Sequence, residues 1–304
     1  MSLYLKYRPT SLDQMVGNSA IITLLDAMLR NENCPHATLL HGPTGCGKTT
    51  IARIMANRLK CEKLGFREID SADFRGVDTI RDIRRQMQFV PLTGSVQVWL
   101  LDECHKLTSD AQAALLKALE DTPQHVYFVL CTTDPQKLLP TIRGRCSELP
   151  VSSLNEQEMF QLLRHVVKAE GESLPKAAYE QITLHSLGLP RKALQILEQV
   201  LVTTPEKRLQ TVQKIAEAQS TTIELCRALV TPNVGWKRVA SILARLREEE
   251  DPETVRRAIM GYCQQILLKE DNESVGNVML AFRQPFYSVG WPELVLACYT
   301  VVKS

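Results

Sequence analysis

The sequence has little of what marks the non-globular classes. Only 14 Gly and 15 Pro stand among 304 residues, aromatics make 6%, and charged residues stay at an ordinary 23% beside 44% apolar. Collagenous, low-complexity and disordered chains are thereby excluded. The apolar-rich runs, such as Val96 to Leu101 and Val126 to Thr133, are strand-sized. A membrane span needs ~18 apolar residues, so no membrane partner is expected. Lys6 and Arg8 lead into no apolar stretch, so nothing reads as a secretory signal and a cytoplasmic location is expected. The nine cysteines, at 34, 46, 61, 104, 131, 146, 226, 263 and 298, include no Cys-x-x-Cys pair. Neither a disulfide framework nor a zinc site is supported; the expectation is buried thiols in a reducing compartment. Charge of one sign is lacking too, at 36 Lys+Arg against 34 Asp+Glu. By segment the balance is +4 for residues 1–60, −2 for 61–150 and 0 for 151–304. Any nucleic-acid contact must come from a local basic face rather than a bulk field.

What is present is alternation. Apolar strand-like runs at Ala37 to His41, Glu68 to Asp70, Val96 to Leu101 and Val126 to Cys131 are separated by helical patterns. That argues for an α/β fold with a mostly parallel sheet covered on both faces. Ser109-Asp-Ala-Gln112 has capping-box spacing and is expected to open a helix whose Leu115, Leu116 and Leu119 share a face. From about residue 153 the strand signals stop. Pro175, Pro190, Pro205, Pro252 and Pro292 each stand at or near the first turn of a helical pattern, so the second half is expected to be all helix. Thr204-Pro205-Glu206 and Asp251-Pro252-Glu253 read as cap, first-turn proline and dipole-facing acid. A boundary is placed near Thr204.

Gly42-Pro43-Thr44-Gly45-Cys46-Gly47-Lys48-Thr49 satisfies GxxxxGK[ST], with a strand before it and the helical stripe Ile51, Ile54, Met55, Leu59 after it. Glycines let backbone N–H groups turn toward phosphates, the helix N-terminus adds its positive end, Lys48 supplies a point charge and Thr49 offers a hydroxyl to magnesium. The nucleotide-binding set extends to Thr50. Some 55 residues on, the apolar strand ends in Asp102-Glu103-Cys104-His105. A carboxylate pair at the carboxyl end of a buried strand, beside a P-loop, fits metal positioning by Asp102 and water activation by Glu103. The alternative is two strand-end acids capping the next helix. Thr133, at the end of the adjacent strand, is placed to bond the attacking water or the γ-phosphate.

With both motifs present the chain resembles the AAA+ ATPases, and within them the sliding-clamp-loader subunits, the bacterial polymerase III gamma/tau and replication factor C small-subunit family. Tyr7-Arg8-Pro9 and Val16-Gly17-Asn18 look like the adenine-side box, Asp102-Glu103 matches Walker B, and Thr132-Thr133-Asp134-Pro135-Gln136-Lys137-Leu138 is similar to the bacterial sensor-1 segment. Gly144-Arg145-Cys146 resembles the Ser-Arg-Cys motif, with Gly in place of Ser, which implies that Arg145 is a finger reaching the ATP of a neighbouring subunit. Leu187 to Leu194 resembles the sensor-2 segment and implies a phosphate contact by Arg191 from its own subunit. The cysteine-rich zinc module between the Walker motifs of the bacterial subunit is missing, since only Cys46 and Cys61 lie there. That, with Ser71 to Asp78 and its likeness to replication factor C, implies a compact loader of the kind phages encode.

The resemblance implies a P-loop sheet domain at 1–150, a helical lid at 151–204 and an all-α collar at 205–304. It implies ATP and Mg2+ with no zinc, a pentameric ring of copies and a second protein, a sliding clamp and primer-template DNA, in a prokaryotic or phage-infected cell. Arg75, Arg81, Arg84 and Arg85 form the local basic cluster, and positions 81, 84 and 85 share a helical arc of roughly 100°. It reads either as a solvated face paired with Asp78 and Asp82 or, by the resemblance, as a phosphate-contacting face together with Thr108 and Ser109. Met87, Phe89, Val90 and Leu92 are candidates for gripping the clamp, against an ordinary core role. A non-hydrolysing structural subunit and another AAA+ DNA motor, such as a branch-migration helicase, remain the alternatives.

Overall fold

The computed structural model describes residues 2–30, 34–91, 94–212, 221–232, 234–268, 271–286 and 290–303. Five strands, β1 (Ala37–His41), β2 (Phe66–Asp70), β3 (Gln97–Asp102), β4 (Val126–Thr132) and β5 (Ser147–Pro150), form one parallel sheet in the order β2-β3-β4-β1-β5. Four coincide with the expected runs to within two residues. The fifth, β5, was not expected. It is an edge strand whose only buried residue is Leu149, so it carries no apolar run for pattern reading to find.

Period-two alternation divides the strand side chains between two cores. On one face Leu39, Trp99, Leu101, Phe128 and Leu130 pack with α4 (Val77–Gln86) and α5 (Ser109–Glu120). On the other, Leu40, Val98, Leu100, Val129 and Cys131 pack with α2 (Ser19–Arg30) and α3 (Lys48–Arg58). The short helix α1 (Leu3–Lys6) precedes them. Both faces are covered, as a parallel sheet requires.

Two expectations need correction. The cap of α5 is Thr108, whose Oγ1 accepts from the Ala111 amide at 3.3 Å, one residue before the expected Ser109. Gln112 makes no capping box. Its buried amide donates to the carbonyls of Leu107 and Lys137 and accepts from the Leu139 N–H, tying two loops to the helix. Met87, a clamp-gripping candidate weighed against a core role, is fully buried with Ile80 and Ile83 beneath α5, which decides for the core. The spacing 80, 83, 87 is a helical core stripe that continues through the residue after α4.

After α6 (Pro140–Arg143) and β5, the described regular elements are helical or 3₁₀. Asn155 and Glu158 form a reciprocal capping box at the start of α7 (Glu156–Ala169). Next come α8 (Lys176–Ser186) and α9 (Pro190–Leu201), with Pro190 at its first position. The chain divides into two compact units, residues 1–174 with 182–202, and residues 175–181 with 203–304. The second contains α10 (Thr221–Val230), α11 (Trp236–Glu249), α12 (Pro252–Leu267), α13 (Glu273–Ala281) and α14 (Trp291–Lys303). Their core is built on residues such as Leu229, Leu246, Val255, Ile259 and Phe282. Among the described residues no helix is long and apolar enough to cross a membrane. Asp251 caps α12 as expected, accepting from the Glu253 and Thr254 amides. Thr204 makes no side-chain cap; the 3₁₀ turn Pro205–Lys207 follows it and runs into helix from Arg208.

The buried carboxylate of Glu253 organises this second core. It accepts from Arg256 Nε and Nη2 at 2.8 and 2.7 Å, from Arg257 Nε at 3.2 Å and from the Phe286 amide at 3.0 Å. Burial pushes its pKa up, but these hydrogen bonds and the two guanidinium charges outweigh that and hold it below the ordinary value. The sign follows: its contribution is present above the unfolded carboxylate pKa and is lost as pH falls through the lowered folded one. Glu253→Ala, which strands a buried Arg256, should cost about 3 kcal/mol in urea unfolding at pH 7. The gap between wild type and Glu253→Gln should shrink below about pH 4. A gap that widens on acidification would contradict the account.

Candidate functional site

The loop from β1 to α3 lies where the strand order turns back, with β4 on one side of β1 and β5 on the other, the position at which parallel α/β sheets bind ligands. Gly42 has φ +150°, and a Cβ there would lie 1.9 Å from the Val151 carbonyl oxygen. Only glycine fits. Gly47 closes the loop at φ +111° as the N-cap of α3, so the free amides of the first helical turn face the same space. The Lys48 side chain is buried, and its ammonium donates to the carbonyls of Gly42 and Pro43 at 2.8 and 2.9 Å. Burial raises the Cys46 thiol pKa. Its sulfur contacts the Val151 carbonyl at 3.6 Å, which makes Cys46 a packing residue of the loop.

The ends of β1, β3 and β4 bring the expected polar set together. Thr49 Oγ1 donates to Asp102 Oδ2 at 2.7 Å, while Asp102 Oδ1 accepts from the Glu103 amide at 2.9 Å. Glu103 is held in the left-handed region at φ +49°, a conformation costing a non-glycine residue roughly 1 to 2 kcal/mol. It stands at the N-cap of the turn Cys104–Lys106, yet its side chain makes no capping bond; the alternative of helix-capping acids fails here. Thr133 Oγ1 donates to Glu103 Oε2 at 3.4 Å.

A cavity of about 780 Å³ opens beside this set, lined among others by Tyr7, Arg8, Pro9, Val16, Thr44 to Thr50, Asp102, Glu103 and Arg191. That volume suits a nucleotide-sized ligand. Burial, then the nearby Arg53 and Arg191 charges, lowers the Arg8 pKa. Cations crowded at one wall, with Lys48 at the floor, call for an anion. Arg191 also packs on the loop: its amide approaches the Gly45 carbonyl at 3.4 Å, and its guanidinium lies 5.9 Å from the Tyr4 ring centre. Thr49 and Asp102 offer a hydroxyl and a carboxylate within bonding distance of each other, the hard oxygen donors that magnesium takes. The donor set fits the metal.

Gly17, Gly42 and Pro43 stand behind the cavity rather than on its wall. Gly17, at φ +73°, fits closely against Leu154 and Glu158. The sequence reading missed Lys6, Gln161, Leu162 and His165, which line the cavity, and Glu170, which accepts from Lys6 Nζ at 2.7 Å and Tyr7 Oη at 2.6 Å. Those two bonds hold the Glu170 carboxyl below its ordinary value. No local signal links residues so far apart in the chain. It also left His105 without a role, although it stands inside the quoted motif.

The remaining expected residues lie away from the cavity. Arg145 pairs with Glu120 and donates to the Thr141 carbonyl at 3.1 Å. Arg81 pairs with Asp78, Arg85 with Asp82, and Arg84 reaches Asp121 at 3.7 Å. The carbonyl of Arg75 accepts from the Thr108 amide at 3.1 Å, joining it to the start of α5, where Ser109 is the first residue. Phe89 and Val90 are exposed, at 72% and 62%. Met87 is buried, as corrected above, and Leu92 lies outside the described residues.

A family model described as DNA polymerase III, delta subunit, matches residues 69–155. DNA polymerase III subunit gamma/tau of Mycobacterium tuberculosis is 34% identical over 224 residues, 66% of this chain and 39% of that protein. Subunit gamma of Buchnera aphidicola subsp. Schizaphis graminum is 35% identical over 217 residues, 64% of this chain and 60% of that protein. Subunit tau of Escherichia coli is 33% identical over 217 residues, 64% and 34%. The chain is thus similar to clamp-loader subunits of DNA polymerase III.

The chain spans between 34% and 60% of the length of the three relatives. Among solved structures it superposes on the Thermotoga maritima RuvB Holliday junction branch migration motor with TM-score 0.61 at 21% identity, over 78% of this chain and 85% of that one. A mutant of the same motor gives TM-score 0.66 at 21% identity, over 86% and 91%. At that identity the likeness shows the fold alone. The donor set described above is what fits a nucleotide with magnesium.

Lys48→Met keeps the buried stem and removes the charge. Nucleotide affinity, measured by displacement of a fluorescent ATP analogue, should fall roughly 10- to 100-fold, the worth of a charge-assisted hydrogen bond. Unchanged affinity would remove Lys48 from the site.

Proposed function

We propose that the chain is an ATPase subunit of a sliding-clamp loader, which uses ATP binding and hydrolysis to open a polymerase clamp and place it on primer-template DNA. The observation that carries this reading is the convergence of Thr49, Asp102, Glu103 and Thr133 beside the P-loop. A non-hydrolysing subunit has no use for a strained glutamate held at that point. Lys48 exchanges the carbonyls of Gly42 and Pro43 for phosphate oxygens, and Thr49 and Asp102 would hold a magnesium ion, which would supply charge neutralisation at those oxygens. Glu103 takes the proton of the water whose oxygen attacks the γ-phosphorus, and ADP leaves with the broken bond. Thr133 orients that water or the γ-phosphate.

Arg145 leaves Glu120 to meet the ATP of a neighbouring subunit, a contribution worth ~10³ to 10⁵ in rate where measured in other NTPases. Arg191 reports nucleotide from its own subunit, so a phosphate contact made only in the closed arrangement biases the lid toward closure. Residues 1–150 then serve as the ATPase domain, 151–204 as its lid and 205–304 as a collar. The partners are further loader subunits in a pentameric ring, copies of this chain with a second protein, in the cytoplasm of a prokaryotic or phage-infected cell. Arg75, Arg81, Arg84 and Arg85, with Thr108 and Ser109, contact DNA phosphates, and Phe89 and Val90 contact the clamp.

Steady-state ATP hydrolysis by the purified chain should rise when primed DNA and a sliding clamp are both added, and Arg145→Ala should abolish the stimulation. Hydrolysis indifferent to the clamp would favour another AAA+ DNA motor. Phe89→Ala should weaken clamp binding while shifting stability by no more than ~0.5 kcal/mol. Met87→Ala should instead cost ~2 to 5 kcal/mol by opening a core cavity; calorimetry of both variants separates surface from core.

A further inference from the structure

The nucleotide reading uses Glu103 and Thr133 but leaves unexplained the imidazole packed against them. His105 lies one turn past Glu103 with only 11% of its side chain exposed, and its Nδ1 is 3.3 Å from Glu103 Oε2 and 3.0 Å from Thr132 Oγ1. Thr132 Oγ1 also accepts from the Asp134 amide at 3.0 Å, so the hydroxyl is fixed in place at the end of β4. A lone pair on Nδ1 would point at a carboxylate oxygen and repel it. Nδ1 is therefore taken as the protonated nitrogen, donating to Thr132 Oγ1 with its N–H edge 3.3 Å from Glu103 Oε2. The other ionisable groups acting on the ring are Lys137, Asp134 and Lys106.

Resting on the hydrolytic reading above, we propose that His105 is a positioning residue for Glu103: its Nδ1–H, anchored on Thr132, fixes the carboxylate that receives the proton of the attacking water. Oε2 then accepts from Thr133 at the end of β4 and faces the His105 imidazole, 3.3 Å away on the turn after β3. Oε1 is the oxygen assigned to the water. The left-handed backbone at Glu103 and the bond from its amide to Asp102 set where the side chain starts, and the imidazole sets where it ends. Because Thr132 and Thr133 are neighbours on one strand end, a shift of that strand end toward or away from bound phosphate moves both anchors of Glu103 together. The histidine thus couples the strand that faces the γ-phosphate to the base that serves it.

The test separates the donor position from the bulk of the ring. In asparagine the amide nitrogen can occupy the place of Nδ1; in glutamine it reaches toward that of Nε2; phenylalanine keeps the ring and removes both nitrogens. With the full chain, primed DNA and clamp, His105→Phe and His105→Gln should lower kcat by ~10- to 100-fold, the cost of a misplaced catalytic group. KM for ATP and the fluorescent-nucleotide affinity should not change. His105→Asn should recover most of the lost kcat. Equal kcat in wild type and His105→Phe would overturn the proposal while leaving the hydrolytic reading intact. Asn and Gln variants impaired alike, with lowered melting temperatures, would assign His105 to packing instead. Absence of hydrolysis by the unchanged chain would overturn the hydrolytic reading, and the proposal with it.

Discussion

Everything at the nucleotide site depends on how closely the backbone at Gly42 is approached. Its amide donates to the Thr132 carbonyl at 3.2 Å, and its α-carbon has no room for a methyl group because the Val151 carbonyl stands where a Cβ would go. Three strand ends therefore meet at one residue: β1 ends just before it, β4 ends at Thr132, and Val151 follows β5. The Val151 amide returns the contact by donating to the His41 carbonyl at 2.7 Å. A side chain at position 42 would wedge β1 away from β5 and carry the loop, Lys48 and Thr49 with it. The glycine of the motif serves the sheet as much as it serves phosphate.

From that fixed point the chemistry divides into a cationic set and a carboxylate set. Arg8, Lys48, Arg191, Asp102 and Glu103 all border one cavity. The cations and carboxylates are kept from pairing by internal bonds. Lys48 is held by loop carbonyls and not by Asp102, whose two oxygens are engaged by Thr49 and by the Glu103 amide. A direct Lys48–Asp102 pair would neutralise both charges and leave neither for phosphate or magnesium. The strained backbone of Glu103 has the same effect on its carboxylate, carrying it onto Thr133 and His105. Strain of that kind persists only where surrounding bonds over-determine it, and Asp102 supplies such a bond.

The chemistry-bearing segments were legible because each is contiguous. The P-loop, the acid pair and their buried strands are continuous runs, and the structure seats them at the ends of β1 and β3, which flank β4. What escaped is what tertiary packing alone assembles. β5 holds one buried side chain and offers no periodicity. The far wall of the cavity comes from α7, about 150 residues from Lys6 and Tyr7. Met87 was left open between clamp and core although the signal for the core was present, since positions 80, 83 and 87 share a helical face whatever follows them. Gln112 was misread because capping-box spacing cannot distinguish a side chain that reaches back to the helix start from one that reaches out to a second loop. His105 was overlooked inside a quoted motif, for its partner Thr132 becomes a neighbour only when β4 lies beside β3.

Magnitudes decide how the charged surface should be understood. Arg81, Arg85 and Arg145 all have carboxylate partners within the chain, which at first sight removes them from any phosphate-binding role. Those pairs are solvent-exposed, however, with side chains between 39% and 88% accessible. Such pairs contribute about 0 to 1 kcal/mol. A phosphate that releases counterions and accepts two guanidinium hydrogens readily displaces a partner held so weakly. The Glu253–Arg256 pair is of the other kind, with 8% and 13% of its side chains accessible and a backbone amide added; separating it would leave a buried charge at a cost of several kcal/mol. The chain thus keeps its strong ion pair inside the helical core, where it organises structure. The weak ones lie where a polyanion or a neighbouring nucleotide can exchange with them at little cost to the fold.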